Sequence, residues 1–387
     1  MIFHLSDEED IKKGLITDVY FDRARKIMEA RGLTQKATAE IHLQKFPDGW
    51  PWGVLAGAEE ALKLLEGLPV EVECLPEGTI FREEEPVLTI TGRYLDYAVY
   101  ETALLGLLCQ ASGIATKAAR CKKAAGKRPV ISFGARRMHP GLAPMIERNA
   151  FIGGCDGVSV GKSAELIGES PSGTIPHALV LMMGDLVAAV TAFDEIIDPG
   201  VRRVALVDTF SDEKREALIV AEALGDRLFA VRLDTPSSRR GDMGMILREV
   251  RWELDLRGHQ NVQLFVSGGV DEASILELNE YADAYGVGTS ISSAPVINFS
   301  MDIVEIEGRP VAKRGKLSGK KKTLQCRSCR RTSVVPDRSK AGRCPCGGEM
   351  ENLLKPAIEK GSLVTKLPAP QKIREYVLSQ HPFLDLS

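Results

Sequence analysis

The sequence predicts an α/β protein with an N-terminal α/β sandwich domain, an irregular (β/α) barrel domain and a small cysteine-containing element near its end. Three observations predict this organisation. Helical and strand patterns are mixed up to about residue 125, short apolar runs then alternate with helical patterns, and four cysteines lie close together after residue 319. Such alternation usually produces a parallel sheet, and an open doubly wound sheet is the alternative to a barrel.

The composition excludes several classes of protein. The 387 residues are 44% hydrophobic and carry a formal net charge of -3, which indicates a folded globular chain and gives no general reason to expect a nucleic-acid partner. Residues 7–10 are acidic, and we expect no apolar run of membrane-spanning length. The sequence therefore predicts a cytoplasmic protein with no membrane partner.

Residues 1–125 form the predicted sandwich domain. Pro and Gly between the strand patterns indicate turns within a small β unit. Helices are predicted over Asp18–Arg31, Gly57–Leu65 and Tyr97–Ala125, and strands over Val70–Cys74 and Pro86–Thr91.

Residues 126–318 form the predicted barrel domain. Polar or charged residues follow nearly every apolar run, which favours the barrel because catalytic side chains usually follow barrel strands. The strands are predicted over Val130–Phe133, Gly157–Val160, Val204–Val207, Leu228–Leu233, Val262–Val266 and Ala284–Val287. Helices are predicted over Ala143–Phe151, Asp212–Leu224, Gly244–Leu256 and Glu272–Tyr281.

Glycine-containing loops follow the last two predicted barrel strands. Ser267, Gly268 and Gly269 follow one strand, and Gly288 and Thr289 follow the next. Loops in these places commonly bind phosphate, because glycine lets backbone N–H groups approach the oxygens. The alternative is that these glycines only allow tight turns.

Charged residues follow several other strands. Arg136, Asp208, Arg232 and Asp234 are all placed where they would share one end of a barrel. Arginine suits carboxylate or phosphate groups, and aspartate suits Mg²⁺ on a pyrophosphate. Ion pairs that only hold loops together are the alternative.

His177 follows Thr174 in a turn that leads into an apolar helix. A lone histidine in such a turn is more often structural than catalytic.

The cysteines of residues 319–355 have the spacing of a zinc ribbon. Cys326 and Cys329 form one pair, and Cys344 and Cys346 form the other. Two thiolate pairs can complete a tetrahedral zinc site, although the short second pair leaves open whether Cys344 is a ligand. Residues 356–387 are predicted to form a helical tail that packs on the N-terminal domain.

Motifs at the strand ends resemble those of type II phosphoribosyltransferases, and most closely those of nicotinate phosphoribosyltransferase in its archaeal-like form. The likeness runs in order from about residue 14 to 320, and the ribbon is similar to one found in that form. The motifs are Thr17–Phe21, Ser132–Arg137, Gly153–Ser159, Gly173–His177, Val207–Thr209, Arg232–Thr235 and Val266–Asp271.

The resemblance implies a reaction and an assembly. Such enzymes join nicotinate to 5-phosphoribosyl-1-pyrophosphate with Mg²⁺, and they give nicotinate mononucleotide and pyrophosphate for NAD synthesis. Two subunits pack head to tail and share their active sites. Some relatives couple turnover to ATP through a phosphorylated histidine, and His177 has the matching position, with Thr174 as a binding residue beside it.

The resemblance also implies roles for individual side chains. Phe133 and Tyr20 of the partner subunit would enclose the pyridine ring, and Lys45 is a weaker candidate to reach the neighbouring site. Arg232, with Arg136, would bind the carboxylate or the pyrophosphate. The two aspartates, Asp208 and Asp234, would face ribose and Mg-pyrophosphate, and the glycine-containing loops would hold the 5′-phosphate.

Ser159 bears on the choice of base. Relatives that use nicotinamide have an acidic residue at the aligned position, which would repel a carboxylate, so a neutral Ser159 favours nicotinate. An alignment shifted to Asp156 would reverse this argument. Nicotinamide and quinolinate therefore remain alternative bases. A nucleic-acid-binding role for the basic ribbon, and an isomerase or aldolase-like barrel acting on a sugar phosphate, remain alternative functions.

Overall fold

A parallel six-stranded sheet lies at the centre of residues 117–294 in the computed structural model, which describes residues 3–239 and 241–387. These residues form one of two compact units, and residues 3–116 with 295–387 form the other.

The strands are β1 Lys36–Leu43, β2 Gly53–Val54, β3 Val70–Cys74, β4 Ile80–Phe81, β5 Pro86–Arg93, β6 Val130–Ser132, β7 Gly157–Val158, β8 Arg203–Leu206, β9 Leu228–Leu233, β10 Gln263–Val266, β11 Ala284–Val287, β12 Phe299–Ile306, β13 Arg309–Pro310, β14 Lys321–Cys326, β15 Thr332–Pro336, β16 Met350–Asn352, β17 Lys355–Glu359 and β18 Ser362–Leu363.

The helices are α1 Glu8–Lys12, α2 Val19–Ala30, α3 Ala58–Leu65, α4 Tyr94–Tyr97, α5 Glu101–Ala125, α6 Ala143–Ile152, α7 Gly161–Ile167, α8 His177–Met183, α9 Leu186–Ile196, α10 Glu213–Leu224, α11 Met243–Leu256, α12 Glu272–Leu278, α13 Thr289–Ser292 and α14 Pro370–Gln380.

The first unit is built on an antiparallel sheet of seven strands, in the order β13-β12-β1-β5-β3-β17-β18. Its core contains Ile41, Leu88 and Ile90 from the sheet and Leu65 and Leu104 from the helices, all fully buried. Alternating apolar residues on β3 and β5 place one face of these strands against the helices.

Residues 295–318 lie in this first unit, whereas the sequence assigned them to the barrel domain. The reason is strand pairing: β12 runs antiparallel to β1 from Leu43 opposite Phe299 to Ala37 opposite Ile306. A buried strand such as β1 needs partners on both edges to satisfy its backbone groups. The hydrogen-bond partner lies far away in sequence, so the local pattern did not reveal it.

Residues 94–125 are long and apolar enough to cross a membrane by length and composition alone, contrary to the sequence-based expectation. Half of the apolar window is buried inside the protein, and the core helix of a soluble protein passes the same test. Leu104, Leu108, Ala111, Ile114 and Ala115 form part of that buried face.

The second unit has the strand order β7-β6-β11-β10-β9-β8, and every neighbouring pair is parallel. The sheet is open and forms half of a barrel, with helices between the strands. This arrangement confirms the predicted α/β class and the position of all six predicted barrel strands. Parallel strands direct their carboxyl ends to one edge, where the loops of the candidate site follow.

The ribbon strands form a separate three-stranded antiparallel sheet in the order β15-β14-β16. Lys321 at the start of β14 binds Glu40 of β1 twice, with its N–H at 2.7 Å and its Nζ at 2.8 Å. The tail helix α14 contacts the same unit, because Gln380 accepts the N–H of Ile80 at 3.1 Å and donates to the Gly78 carbonyl at 2.9 Å. Glu40 and Gln380 are buried, so a buried ion pair attaches the ribbon and buried hydrogen bonds attach the tail helix.

Candidate active site

A cavity of about 950 Å³ opens at the carboxyl edge of the parallel sheet. Its wall comes from the loops after β6, β7, β9, β10 and β11, together with the segment before α8. Eleven of the residues singled out from the sequence line this cavity, whereas His177 and Asp208 are not among the lining residues. The eleven are Phe133, Arg136, Ser159, Thr174, Arg232, Asp234, Ser267, Gly268, Gly269, Gly288 and Thr289.

Arg232 connects four parts of the cavity wall. Its guanidinium donates from Nε to Ser267 Oγ at 2.8 Å, donates from Nη1 to Thr174 Oγ1 at 2.7 Å and pairs through Nη2 with Asp234 Oδ1 at 3.1 Å. Its central carbon lies 5.1 Å from the centre of the Phe133 ring. Ser267 also donates to Asp234 at 2.6 Å, which closes the network. Arginine has five N–H groups, so two remain for a ligand.

Two glycines are required where the wall is tightest. Gly268 has a φ of +82°, and a Cβ there would lie 2.9 Å from the carbonyl oxygen of Asp234. At Gly286 a Cβ would lie 2.6 Å from two ring carbons of Phe133. Both contacts are too short for any side chain, so these positions need glycine for geometry alone. The next helix, α12, begins after Asp271, whose carboxylate accepts the N–H of Ser274 at 2.9 Å.

His177 and Asp208 form a pair beside this wall. His177 Nε2 lies 3.2 Å from Asp208 Oδ1, with the histidine side chain 40% exposed and the aspartate side chain 3% exposed. Burial raises the pKa of the Asp208 carboxyl; His177 opposes this shift, and Asp234 adds to it. Within residues 3–239 and 241–387, Asp208 Oδ2 has no hydrogen-bond partner.

Ser159 is held by a residue that the sequence analysis missed. Glu147 on α6 is fully buried, and it accepts hydrogen bonds from the Ser159 backbone and hydroxyl and from the Val160 backbone. Glu216 on α10 does the same for the loop after β8, where it accepts the N–H groups of residues 209–211. In the sequence, the available signal for Glu147 and Glu216 was an acidic residue on the apolar face of a predicted helix.

Tyr20 and Lys45 do not line the cavity, since both lie in the first unit. Tyr20 lies on α2 with 58% of its surface exposed, and Lys45 lies in an exposed turn after β1.

The four ribbon cysteines converge on one point. Their sulfur atoms all lie within 4.8 Å of one another, and Cys344 Sγ is 3.6 Å from Cys329 Sγ. Cys326 and Cys346 are 3.5 Å apart. Four thiolates at this separation fit a tetrahedral zinc ion, and Cys344 belongs to the set despite the short spacing of its pair.

Comparison with known proteins places this geometry in a family. A nicotinate phosphoribosyltransferase of Mycobacterium tuberculosis is 30% identical over 412 aligned residues, which cover 93% of this chain and 89% of that protein. The chain belongs to the nicotinate phosphoribosyltransferase family. Models of the quinolinate phosphoribosyl transferase N-terminal and C-terminal domains match residues 18–112 and 114–302, so this family shares that two-domain architecture.

Two solved structures extend the comparison. A nicotinate-nucleotide pyrophosphorylase from Pyrococcus furiosus has 55% sequence identity and a TM-score of 0.97, with 99% of this chain and 98% of that chain covered. The human nicotinic acid phosphoribosyltransferase has 20% identity and a TM-score of 0.78, with 95% and 94% covered. The human enzyme therefore has the same fold as this nicotinate phosphoribosyltransferase family member.

The buried carboxylate of Asp208 predicts an unusual effect on stability. A raised folded-state pKa means that the ionised group opposes folding, so stability falls as pH rises from the ordinary pKa through the raised one. We expect Asp208→Asn to remove this slope and to leave the free energy of unfolding at pH 7 equal to the wild type or higher by about 1 kcal/mol. Urea unfolding between pH 4 and pH 7 measures both effects.

Asp194 provides the matched control for this prediction. Its carboxylate is also largely buried, but it is fully paired with Arg203 and Arg227. Asp194→Asn leaves the buried guanidinium of Arg203 without its anionic partner, and it should lower stability by about 3 kcal/mol. A similar loss in Asp208→Asn would contradict the conclusion that the buried Asp208 carboxylate opposes folding.

Proposed function

We propose that this protein transfers the 5-phosphoribosyl group of 5-phosphoribosyl-1-pyrophosphate to nicotinate, and so forms nicotinate mononucleotide and pyrophosphate for NAD biosynthesis. The observation that carries the proposal is the Arg232 network at the carboxyl edge of the sheet, beside Phe133 and the Ser267–Gly269 loop. An aromatic ring, a partly free guanidinium and a glycine loop suit the three parts of this reaction: a pyridine, an acidic group and a phosphate.

The cavity residues divide between the two substrates. Phe133 would stack against the pyridine ring, and the two remaining N–H groups of Arg232 would bind the carboxylate or the pyrophosphate, with Arg136 contributing a second positive charge. Ser267, Gly268 and Gly269 on one loop, and Gly288 and Thr289 on the other, would hold the 5′-phosphate through backbone N–H groups. This division agrees with the sites proposed from the sequence motifs.

The reaction needs positioning and charge rather than a strong nucleophile. As pyrophosphate leaves, positive charge develops on the ribosyl carbon, and the pyridine nitrogen must stand in line with the leaving oxygen. Asp208 and Asp234 would stabilise this charge, because neither carboxylate is fully solvated. The low exposure of Asp208 strengthens its interaction with a developing cation.

Asp208 and Asp234 also fit a magnesium ion. Oδ2 of Asp208 is buried without a partner among the described residues, and Asp234 is near enough to raise the pKa of Asp208. Carboxylate oxygens are the ligands that Mg²⁺ prefers, and bound Mg²⁺ neutralises pyrophosphate as a leaving group. The two aspartates would hold the ion, and Asp208 would thereby gain the partner that it lacks.

His177 is suited to receive a phosphoryl group from ATP. In the tautomer with the proton on Nε2, this N–H donates to Asp208 and the lone pair is on Nδ1. With 40% of its side chain exposed, the ring would then offer Nδ1 to a phosphoryl group. Coupling to ATP would then pass through a residue in direct contact with the carboxylate at the reacting centre.

Product analysis tests the proposed reaction. We expect mononucleotide from nicotinate with 5-phosphoribosyl-1-pyrophosphate and Mg²⁺, and faster formation when ATP is present. Quinolinate is the second candidate base, because the matching domain models carry its name. Parallel reactions with quinolinate and nicotinamide identify the base. His177→Ala should remove the ATP effect and retain basal turnover, whereas absence of product from all three bases would refute the transferase assignment.

We further propose that the four cysteines bind one structural zinc ion per chain. Cys344→Ser should abolish zinc in the purified protein and lower the melting temperature by at least about 5 °C, because binding of a structural zinc ion contributes directly to the free energy of folding. Elemental analysis and calorimetry measure the two effects. Cys109→Ala removes a half-buried thiol elsewhere and should retain the zinc; a zinc-free wild type would contradict the site.

We also propose a cytoplasmic homodimer in which Tyr20 and Lys45 reach the partner subunit's cavity. Helix α2 carries exposed apolar side chains, with Val19 58%, Tyr20 58% and Ile27 62% exposed, and an interface would cover them. Both candidate residues lie in the unit that does not contain the cavity of their own chain. A site shared between subunits would bring Tyr20 and Lys45 of one chain to the cavity of the other.

Mixing two inactive variants tests the shared site. Tyr20→Ala and Asp208→Asn each disable every site in their own homodimer, but a heterodimer has one site with both residues intact. Random exchange of subunits should therefore restore about one quarter of wild-type activity. Light scattering checks that the variants remain dimers. If the mixture stays inactive while heterodimers form, Tyr20 acts within its own subunit or not at all.

A further inference from the structure

A buried glutamate lies directly behind Ser159 in the wall of the cavity. Oε1 of Glu147 accepts the Ser159 N–H at 2.9 Å and the Ser159 hydroxyl at 2.7 Å, and Oε2 accepts the N–H of Val160 at 3.0 Å. Glu147 is fully buried, whereas Ser159 faces the cavity. The glutamate therefore fixes both the backbone and the hydroxyl of a residue that a ligand can touch.

The contact with Glu147 determines what the Ser159 hydroxyl offers to a ligand. A serine hydroxyl has one proton and two lone pairs, and a carboxylate can only accept. Because the proton of Ser159 is used on Glu147, only lone pairs remain for the cavity. The wall at this point is a hydrogen-bond acceptor with a carboxylate behind it.

This acceptor changes the significance of Ser159 for base choice. On its own, Ser159 is a neutral group that would admit a carboxylate. The Glu147 carboxylate stands one hydrogen bond behind it, in a buried environment that screens charge poorly. A substrate carboxylate would be repelled from the Ser159 wall and drawn to Arg136 and Arg137, which line the same cavity.

We infer that Glu147 is a positioning residue for base selection, which makes Ser159 an acceptor that binds an N–H or O–H on the pyridine substituent and turns a carboxylate towards the arginines. This inference rests on the proposed function, since it concerns the pyridine site of that reaction. It adds a residue and a hydrogen-bond direction to the site, and it reverses the expected role of Ser159.

Two nearly isosteric pyridines test the hydrogen-bond direction. Nicotinamide has an NH₂ group where 3-acetylpyridine has a methyl group, and both have the same carbonyl. Wild-type protein should bind nicotinamide about tenfold more tightly than 3-acetylpyridine, because only the amide can donate to Ser159. Calorimetry measures both affinities without turnover. Equal affinities would overturn the inference.

Ser159→Ala separates the two possible roles of the hydroxyl. The backbone N–H groups of residues 159 and 160 still bind Glu147 in this variant, so the loop should keep its structure. We expect the preference for nicotinamide over 3-acetylpyridine to fall to about twofold, because the side-chain acceptor is lost. A tenfold rise in the KM for nicotinate would mean that Ser159 donates to the carboxylate, contrary to the inference.

Glu147→Gln and Glu216→Gln form a matched pair. Both replace a buried helical glutamate that binds three donors of one loop, but only Glu147 contacts the Ser159 hydroxyl. Glu147→Gln should weaken the preference for nicotinamide about fivefold, and Glu216→Gln should keep it. Equal loss in both variants would indicate general loosening and refute a specific role. Because the affinities are measured without turnover, absence of nicotinate turnover would count against the proposed function alone.

Discussion

The arrangement of the cavity depends on the need to satisfy a partly buried guanidinium within a parallel sheet. Arg232 projects from β9 with only 17% of its side chain exposed, and a charge in that position is costly unless its N–H groups are bonded. Thr174, Asp234 and Ser267 supply those bonds from three different loops. The loops are thereby fixed relative to one another, and a ligand meets a preformed site.

Two buried glutamates, Glu147 and Glu216, fix loops that Arg232 does not contact. Loops after parallel strands leave backbone N–H groups without strand partners, and these groups must be satisfied where water is excluded. Glu147 and Glu216 each accept three donors from such a loop. Rigid loops hold polar side chains in place, so the reaction does not have to order them at the moment of bond breaking.

The sequence predicted the features that depend on local pattern. The six barrel strands and the polar residues after them follow from alternation of apolar runs with helices, and ordered motifs then located the cavity residues. The sequence did not indicate Glu147, because its importance lies in a contact with Ser159 that no local pattern encodes. β12 was assigned to the wrong unit for the same reason, since its pairing partner β1 lies more than 250 residues earlier.

Unsatisfied polar atoms at the carboxyl edge explain why such a site costs stability. Among the described residues, Ser132 Oγ, Asp208 Oδ2, Thr209 Oγ1 and Ser292 Oγ are buried without hydrogen-bond partners, and each lies at or beyond the end of a sheet strand. A folded protein would normally pair such atoms, because a buried unpaired polar group costs about 1–3 kcal/mol. Under the proposed function, a cation held by Asp208 would give this carboxylate the partner that it lacks among the described residues, so binding of the ion would also stabilise the fold.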